Sequence, residues 1–322
     1  MVGETLAPVA VLGLGTMGHG IAQTFALAGY PVRGFDAHPA ARASLVDRVR
    51  RNLQDFVAVG IIKPEAVEPA LVRLSAFDTE ADALHGTWFV TEAVQEDLAV
   101  KQELFARIEA FFDDDTILAS NSSTFPMSQS AARMRRPQRA IVTHWFNPPH
   151  IVPTVEVVPG PQTHESVTER TLAVLRQIGK LAIPIRKELP GFLVNRVQIA
   201  VMREVWDLLD RGVASVEEID AAIRGSMGFR LAAIGPLEVH DFGGLDVQTA
   251  VFRNLAPEIR SSTTVPDVVQ KIVDQGNFGA KTGSGFYEYP PERLAERRSL
   301  RDRKFLELLR MFYSSSTVSP VQ

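Results

Sequence analysis

Residues 8–18 read Pro-Val-Ala-Val-Leu-Gly-Leu-Gly-Thr-Met-Gly, and this stretch decides the fold. Its apolar first half has the composition of a buried strand and leads directly into the pattern Gly13-x-Gly15-x-x-Gly18. A helical pattern follows. A strand that enters a glycine-rich turn at the start of a helix is typical of a dinucleotide-binding βαβ unit. The glycines permit a tight turn and let backbone N–H groups approach a pyrophosphate at the positive end of the helix.

The residue after the second predicted strand indicates which dinucleotide is bound. Residues 32–35 form a short strand-like run that ends at Asp36. A carboxylate here bonds the ribose hydroxyls of NAD and would repel the 2′-phosphate of NADP. No arginine follows Asp36 directly, so the sequence predicts NAD. The predicted binding residues in this part of the chain are Gly13, Leu14, Gly15, Thr16, Met17, Gly18 and Asp36.

The order of strands and helices predicts the fold class and the domains. Short apolar runs alternate with helical patterns as far as residue 185, which predicts an α/β fold with a Rossmann-type, doubly wound parallel sheet. After Pro190-Gly191 helical patterns dominate, so an all-α C-terminal domain is expected to follow. The predicted parts are an NAD-binding domain over 1–188, a helical domain over 189–290, and a C-terminal helical extension and tail over 291–322.

Composition narrows the class of protein. The 322 residues suffice for two domains, and 45% hydrophobic with 22% charged residues is an ordinary globular mixture. The net charge of −4 argues against a nucleic-acid partner, and no apolar run is long enough to span a membrane. The lack of cysteine excludes disulfides and thiolate metal sites, and no histidine spacing indicates another metal. No Lys or Arg precedes Arg33, so a signal peptide is not expected and the predicted location is the cytoplasm.

Two polar residues suggest a reaction. His144 ends a short apolar strand before the constrained loop Trp-Phe-Asn-Pro-Pro, and Glu156 lies within the next apolar strand. A buried carboxylate needs a partner, and an imidazole at a neighbouring strand end supplies one. Such a pair orients the ring and stabilises the imidazolium after it takes a proton. Beside an NAD site, the pair predicts alcohol oxidation with His144 as the base.

With these motifs the chain resembles the L-3-hydroxyacyl-CoA dehydrogenase family up to about residue 289. The resemblance implies an NAD-dependent dehydrogenase that oxidises an L-3-hydroxyl group to a 3-oxo group. The matching stretches, besides 13–18 and Glu156, are 92–96 (Glu-Ala-Val-Gln-Glu) with Lys101, 120–123 (Ser-Asn-Ser-Ser), 144–148 (His-Trp-Phe-Asn-Pro), 190–196 (Pro-Gly-Phe-Leu-Val-Asn-Arg) and 281–287 (Lys-Thr-Gly-Ser-Gly-Phe-Tyr).

The resemblance also implies roles for individual residues. His144 is implied as the catalytic base and Glu156 as its partner, while Ser123 and Asn195 hydrogen-bond the substrate oxygen and the catalytic residues. The helical domain is implied to build a homodimer. The residues that the resemblance adds to the NAD site are Glu96, Lys101, Ser123, Asn147 and Lys281.

Departures from the family pattern bear on the substrate. Typical CoA-using members read Met-Lys-Leu-Val-Glu at the strand that here reads Pro-Thr-Val-Glu156, and they carry an apolar Pro-Met-Gly-Pro segment where this chain has Gly-Phe-Arg230. Both departures resemble the branch with L-gulonate 3-dehydrogenase and lambda-crystallin, and a relative that acts on a pyridine carboxylate is similar too. A free carboxylate favours a bidentate cation, which Arg230 supplies. These departures favour a small free 3-hydroxy acid as the substrate.

Two alternatives stay open. Residues 243–246 (Gly-Gly-Leu-Asp) and the segment at Lys281 resemble the CoA-using enzymes, which favours a 3-hydroxyacyl-CoA such as 3-hydroxybutyryl-CoA. Because lens crystallins come from this branch, a structural role is the third possibility. The polar residues predicted at the catalytic cleft argue against that role, since packing alone does not need them.

The segment 291–322 extends beyond the usual end of the family. Its apolar residues, among them Leu300, Phe305 and Leu309, follow a helical spacing, and Ser314–Gln322 read as a frayed tail. We expect the helix to pack on the helical domain or across the dimer.

Overall fold

In the computed structural model, which describes residues 6–315, the chain divides into two compact units. The sheet unit runs to Asn195 and resumes at Arg301, and the helical unit comprises Arg196–Leu300. The strands are β1 Val9–Leu12, β2 Val32–Phe35, β3 Leu74–Ala76, β4 Phe89–Glu92, β5 Ile117–Ser120, β6 Ala140–Trp145, β7 Thr154–Pro159 and β8 Leu181–Pro184. The helices are α1 Gly18–Leu27, α2 Pro39–Ala43, α3 Leu45–Ala58, α4 Val67–Val72, α5 Glu80–Leu84, α6 Leu98–Ile108, α7 Met127–Ser130, α8 Glu165–Gln177, α9 Val194–Asp210, α10 Val216–Ile223, α11 Phe229–Leu231, α12 Pro236–Gly243, α13 Leu245–Leu255, α14 Asp267–Asp274 and α15 Pro291–Ser315.

The eight strands form one sheet in the order β3-β2-β1-β4-β5-β6-β7-β8. All neighbouring strands are parallel except β6 and β7, which pair antiparallel. The strand order reverses between β1 and β4, and a sheet of this kind binds its ligand in the crevice at such a reversal. The predicted α/β fold with a doubly wound sheet and a helical second domain is confirmed.

The short apolar runs form strands because both faces of the sheet are covered. Along β1, Val9 and Val11 belong to one buried cluster, whereas Ala10 and Leu12 belong to the cluster on the opposite face. All four side chains are almost fully buried. Parallel strands between two helix layers read as continuous apolar runs rather than as an alternating pattern, and this is what the sequence of β1 shows.

Two elements of the sheet differ from the sequence-based expectation. β7 runs antiparallel, and its register places Glu156 directly opposite His144 of β6. The short strand β3 was not predicted, because three residues with only Leu74 buried leave no pattern to read. These differences concern the direction of one strand and the presence of a short one, and they leave the fold class unchanged.

The C-terminal extension differs from expectation in its packing. Leu306 and Leu309 of α15 are buried in the same cluster as the sheet unit's strands and helices, with Tyr313 packed against it. These residues share one face of α15, since they are three and four positions apart. The second part of α15 therefore packs within the sheet unit of its own chain. The helix includes Ser314 and Ser315, which were expected to belong to the tail, and residues 316–322 lie outside the described residues.

The helical unit buries few of its apolar side chains. Ile219 and Val269 are its buried aliphatic residues among those described, each 8% exposed. By contrast, Phe242 is 80% and Phe252 70% exposed. Its local structure is nevertheless well defined, for example by the reciprocal capping box that starts α10 at Ser215. Among the helices within residues 6–315, none combines the length and apolar character that crossing a bilayer requires.

Candidate active site

The glycines of the turn after β1 differ in what surrounds them. Gly13 has a φ of 89°, and a Cβ there would lie 2.5 Å from the carbonyl oxygen of Ala93. A Cβ on Gly18 would lie 1.7 Å from the carbonyl oxygen of Gly13, so this position must also lack a side chain. A Cβ on Gly15 would meet no protein atom within 4 Å. Gly13 and Gly18 thus allow the chain to pack, whereas Gly15 borders open space that a ligand can fill.

The turn leads into α1, whose N-terminus has no side-chain cap among the described residues. Met17 precedes α1 without a side-chain cap, and no acidic residue occupies the first turn. Two carbonyl oxygens of the turn accept hydrogen bonds from side chains of the protein. Arg48 donates to the oxygen of Leu14 at 2.6 Å, and the Nδ1 of His19 donates to that of Gly15 at 2.7 Å. An uncapped helix N-terminus next to Gly15, which lines a cleft, fits a pyrophosphate at this position.

Asp36 lies at the end of β2 with its carboxylate held by backbone. Its Oδ2 accepts the N–H of Leu14 at 2.7 Å, and its Oδ1 accepts that of His38 at 2.8 Å. Arg42 points elsewhere, donating to the Asp36 carbonyl oxygen and to Asp78. Asp36 lines a cleft of about 430 Å³ together with Gly13 and Gly15. The structure thus brings these three predicted residues to one cleft, and their assignment to the adenosine half of NAD stays a prediction.

A buried ionic network lies behind the next strand ends. Lys101 is fully buried and donates to Glu92 at 2.7 Å, with Glu96 at 3.2 Å. Glu92 also accepts the hydroxyl of Ser120 at 2.6 Å, which ties β4 to β5. The resemblance placed Lys101 in the NAD site, and in the structure its ammonium contacts these two carboxylates. The assignment of Lys101 to the cofactor stays a prediction.

Glu96 organises the loop that carries Ser123. Its Oε1 accepts the N–H groups of Ser123 and Thr124 and the hydroxyl of Ser122, at 2.8–3.0 Å. Burial raises the pKa of Glu96, but the Lys101 ammonium and these hydrogen bonds outweigh burial and lower it below its ordinary value. Glu96 is therefore ionised at neutral pH and fixes the backbone at Ser123.

His144 and Glu156 form a buried hydrogen-bonded pair. The imidazole Nδ1 lies 2.7 Å from Oε2 of Glu156, and the exposed fractions of the two side chains are 3% and 1%. Because a carboxylate accepts, Nδ1 is the protonated nitrogen and Nε2 keeps its lone pair. The rings of Phe146 and Phe192 pack on the imidazole with centroids 4.5 and 5.4 Å away. The ring is thus fixed in both orientation and tautomer.

The second oxygen of Glu156 is also occupied. Oε1 accepts the backbone N–H groups of Leu193 and Val194 at 3.0 and 2.9 Å, at the start of the long helix α9. The positive end of a helix stabilises a nearby carboxylate. One residue further on, the side-chain amide of Asn195 donates to the carbonyl oxygen of Ser123 at 3.0 Å. The structure therefore brings together the four residues predicted to be catalytic.

Three further predicted residues are Asn147, Arg230 and Lys281. Asn147 is exposed in the loop after β6. Arg230 lies exposed in α11 of the helical unit. Lys281 belongs to the same unit, where its Nζ lies 5.1 Å from the ring centroid of Phe278. The assignment of these three side chains to cofactor or substrate stays a prediction.

Two residues of the site were not singled out by sequence reasoning. Asn121 accepts the backbone N–H of Trp145 at 3.0 Å and so joins β5 to the strand that carries His144. Glu92 connects Lys101, Ser120 and the N–H of Val94. Both lie within motifs that were quoted for the resemblance, but a motif does not show which member faces inward. No group of three or more His, Asp or Glu side chains within residues 6–315 is arranged to hold a metal.

Comparison with known protein families matches both parts of the chain. The model for the 3-hydroxyacyl-CoA dehydrogenase NAD-binding domain matches residues 8–189. The model for the 3-hydroxyacyl-CoA dehydrogenase C-terminal domain matches residues 191–289. Together they cover all of the predicted site residues.

Curated relatives include proteins named for different substrates. The chain is 34% identical to 5-formyl-3-hydroxy-2-methylpyridine 4-carboxylate 5-dehydrogenase of Mesorhizobium japonicum, over 94% of this chain and 97% of that protein. It is 29% identical to lambda-crystallin of Oryctolagus cuniculus, over 97% and 98%. It is 35% identical to a probable 3-hydroxybutyryl-CoA dehydrogenase of Bacillus subtilis, over 87% and 96%.

The similar solved structures also include enzymes named for a carboxylic acid and for a CoA thioester. The crystal structure of 5-formyl-3-hydroxy-2-methylpyridine 4-carboxylic acid 5-dehydrogenase, described as an NAD⁺-dependent dismutase, matches with a TM-score of 0.89 and 32% identity, over 95% of this chain and 98% of that one. The (S)-3-hydroxybutyryl-CoA dehydrogenase of Ralstonia eutropha matches with a TM-score of 0.72 and 32% identity, over 88% and 99%.

Proposed function

The chain belongs to the 3-hydroxyacyl-CoA dehydrogenase family of NAD-dependent oxidoreductases, and on this premise we propose that it oxidises the 3-hydroxyl group of a small free hydroxy acid. The cofactor is NAD, and the reaction is a dehydrogenation at a CH–OH group. The proposal extends these two statements to a substrate class and to the roles of individual residues.

The observation that carries the proposal is the His144–Glu156 pair. Its Nδ1–H is fixed on the carboxylate, so Nε2 is the nitrogen that takes the proton of the substrate hydroxyl. The imidazolium then lies against Glu156, whose other oxygen already has two backbone donors. The charge that develops on the ring is therefore balanced without rearrangement of the site.

The remaining residues of the site bind and orient. The N-terminus of α1 and Asp36 would hold NAD, and Gly15 leaves the space for it. The bound cofactor would supply the hydride acceptor for the oxidation. Ser123 and Asn195 bind the substrate oxygen, with the Ser123 backbone held by Glu96 and by the Asn195 amide.

The comparisons favour a free acid over a CoA thioester. The pyridine-carboxylate dehydrogenase aligns over 94% of the chain, whereas the probable 3-hydroxybutyryl-CoA dehydrogenase aligns over 87%. The TM-scores of 0.89 and 0.72 rank the two solved structures in the same order. An exposed guanidinium at Arg230 suits a carboxylate, which it can bind through two parallel hydrogen bonds.

A 3-hydroxyacyl-CoA is the second candidate substrate. The specific observation in its favour is the 35% identity to the probable 3-hydroxybutyryl-CoA dehydrogenase, slightly above the 34% to the pyridine-carboxylate enzyme. The proposed base and its partner serve either substrate, because both contain a secondary hydroxyl group.

The exposed apolar side chains of the helical unit support a homodimer. Phe229, Leu237 and Phe242 are each at least 75% exposed, which is costly for aromatic and aliphatic side chains in water. A second copy of the chain that packs on the helical unit would cover this surface. Sedimentation equilibrium at micromolar concentration should give a dimer, and a monomer would refute this part of the proposal.

The test of the substrate class is a panel of 3-hydroxy acids and 3-hydroxyacyl-CoA esters, assayed with NAD⁺ by the absorbance of NADH. Higher kcat/KM for the free acids supports the proposal, and higher kcat/KM for the thioesters replaces it by the second candidate. Activity with no member of the panel would contradict both.

A matched pair of variants then tests whether Arg230 binds the carboxylate of the substrate. Arg230→Leu should lower kcat/KM for a free acid by about 10- to 100-fold, the range for a charge-assisted hydrogen bond. Arg298→Leu removes an exposed arginine of the same unit and should leave kcat/KM unchanged. Equal activities of the two variants would remove Arg230 from the substrate-binding residues.

A further inference from the structure

A lysine without a carboxylate partner is buried beneath the loop that joins β6 to β7. Lys180 is 2% exposed, and its Nζ donates to the carbonyl oxygens of Pro149 at 2.7 Å and Val152 at 2.9 Å. The same atom lies 5.3 Å from the ring centroid of Trp145. Among the ion pairs within residues 6–315, none includes Lys180.

The setting is costly for an ammonium group. Removal of a charge from water without an opposite charge is unfavourable, and burial lowers the pKa of Lys180 to about 7. A neutral amine has two N–H donors, and two carbonyl oxygens are within reach here. An apolar side chain would fill the same space without this penalty, so the two hydrogen bonds are the feature that distinguishes Lys180 from ordinary core packing.

The loop that Lys180 holds connects the two halves of the catalytic pair. It runs over 146–153, from the strand of His144 to that of Glu156, and it carries Asn147. On its other side it touches the cofactor helix α1. A Cβ on Gly20 would lie 2.8 Å from Pro149 and 2.7 Å from the Nδ1 of His150. The loop is therefore packed tightly against α1 and is bonded to Lys180.

The C-terminal helix covers this region. Tyr313 of α15 lines a cavity of about 30 Å³ with Lys180, His150 and Gln23, and its hydroxyl donates to the carbonyl oxygen of Gly179 at 3.2 Å. Burial raises the pKa of Tyr313 to about 12. Among the residues that the structure describes, the Nδ1 of His150 and the Nε2 of Gln23 have no hydrogen-bond partner. The cavity is large enough for one water molecule, which these two atoms would bind.

The titratable groups around Lys180 do not compensate its charge. His150 faces it from the loop, His19 lies next to His150 on α1, and α15 contributes Tyr313 and Arg301. Burial, with the positive charges of His19, Lys180 and Arg301, lowers the pKa of His150 to about 3, so His150 is neutral. A proton on Lys180 is consequently not balanced by any of these groups.

We propose that Lys180 is a positioning residue for the dehydrogenase, which holds the loop over 146–153 against α1 and so places Asn147 for the cofactor. The proposal rests on the proposed function for the role of His144 and on the sequence-based prediction that Asn147 contacts the cofactor. The proposal also connects α15 with the site, because Tyr313 of this helix packs next to Lys180.

The direction of the pH dependence follows from the lowered pKa. With the loop closed, Lys180 loses its proton near pH 7, whereas a solvated lysine keeps it up to about pH 10.4. If the loop opens and exposes Lys180 to water, the protein binds more protons between pH 7 and about pH 10.4 than it does with the loop closed. Closure therefore becomes more favourable as the pH rises above 7. Below pH 7 both states are protonated and closure no longer depends on this group.

The test uses Lys180→Met, which keeps the length of the side chain but removes the donors. Lys304→Met, at an exposed position of α15, is the matched control. We expect Lys180→Met to weaken NADH binding about 10-fold and to speed amide hydrogen exchange in the peptide that spans 146–153. The control should leave both unchanged. Wild-type affinity and exchange in Lys180→Met would overturn the proposal, because a merely structural lysine would alter stability alone.

A second measurement needs no variant and covers the case in which Lys180→Met does not fold. Exchange of the wild-type loop, corrected for its intrinsic rate, should slow progressively from pH 7 to pH 9 and change little from pH 5 to pH 6. A flat profile over the whole range would overturn the proposal. Neither measurement involves a hydroxy acid, so a protein that passes both and oxidises no member of the substrate panel contradicts the proposed function alone.

Discussion

His144 and Glu156 face each other because the strands that carry them run antiparallel in a register that pairs these two positions. Each residue is nearly excluded from solvent, yet every acceptor of the carboxylate has a donor: the imidazole on one oxygen and two backbone N–H groups on the other. A buried ionisable pair is tolerated when its hydrogen bonds are complete. This arrangement leaves Nε2 as the free position of the ring and explains why the pair is suited to accept one proton.

Replacement of the imidazole should separate chemistry from cofactor binding. His144→Gln should lower kcat by about 10²- to 10⁴-fold, the range for loss of general base catalysis, because glutamine cannot take the proton. The affinity for NADH, measured by fluorescence titration, should stay within twofold of wild type. His164→Gln, at an exposed histidine before α8, serves as the control and should keep full turnover. Near-native turnover of His144→Gln would refute its role as the base.

At the scale of elements, the turn between β1 and α1 combines two different requirements for glycine. Gly13 and Gly18 lack side chains because backbone atoms of the protein fill the space, whereas Gly15 borders an open cleft. The first requirement concerns folding and the second concerns the ligand. Substitutions within one short motif should therefore have separable effects.

Alanine at two positions of the motif should distinguish these requirements. Gly15→Ala should keep the thermal midpoint of wild type but weaken NADH binding at least 10-fold, because its methyl group enters the space for the pyrophosphate. Gly18→Ala should lower the thermal midpoint, since its Cβ would overlap the carbonyl oxygen of Gly13. Isothermal titration calorimetry and thermal unfolding measure the two effects. Equal loss of stability in both variants would contradict the distinction.

The elements also show how far the sequence supports prediction. The motif from β1 to α1 could be read because its glycines, the strand before it and the helix after it are contiguous. The antiparallel course of β7 could not, since an apolar run buried on both faces has the same pattern in either direction. Lys101 was assigned to the cofactor by resemblance, and the structure buries it between two carboxylates. Which member of a motif faces the ligand depends on packing that adjacent residues do not encode.

At the scale of the whole molecule, the chain returns to its first unit at the end. Residues from Arg301 onward belong to the sheet unit, although they follow the helical unit in sequence. The family models end at residue 289, so this part of α15 lies outside them. Its apolar face is nonetheless part of the core that supports the strands, which makes the extension an integral element of the fold rather than an appendage.

A pair of leucines two positions apart on α15 allows a direct test of this packing. Leu306 is 1% exposed within the core cluster of the sheet unit, whereas Leu308 is 49% exposed. Leu306→Ala removes buried methyl groups and leaves a cavity, so it should lower the free energy of unfolding of the sheet unit by about 2–5 kcal/mol. Leu308→Ala makes the same chemical change on the outer face and should alter the free energy of unfolding by less than about 0.5 kcal/mol.

Denaturant unfolding followed by far-UV circular dichroism measures the stability of both variants. Similar small effects in the two variants would show that the extension does not contribute to the core. If Leu306→Ala also speeds hydrogen exchange over 146–153, the extension supports the cofactor-side loop as well as the fold.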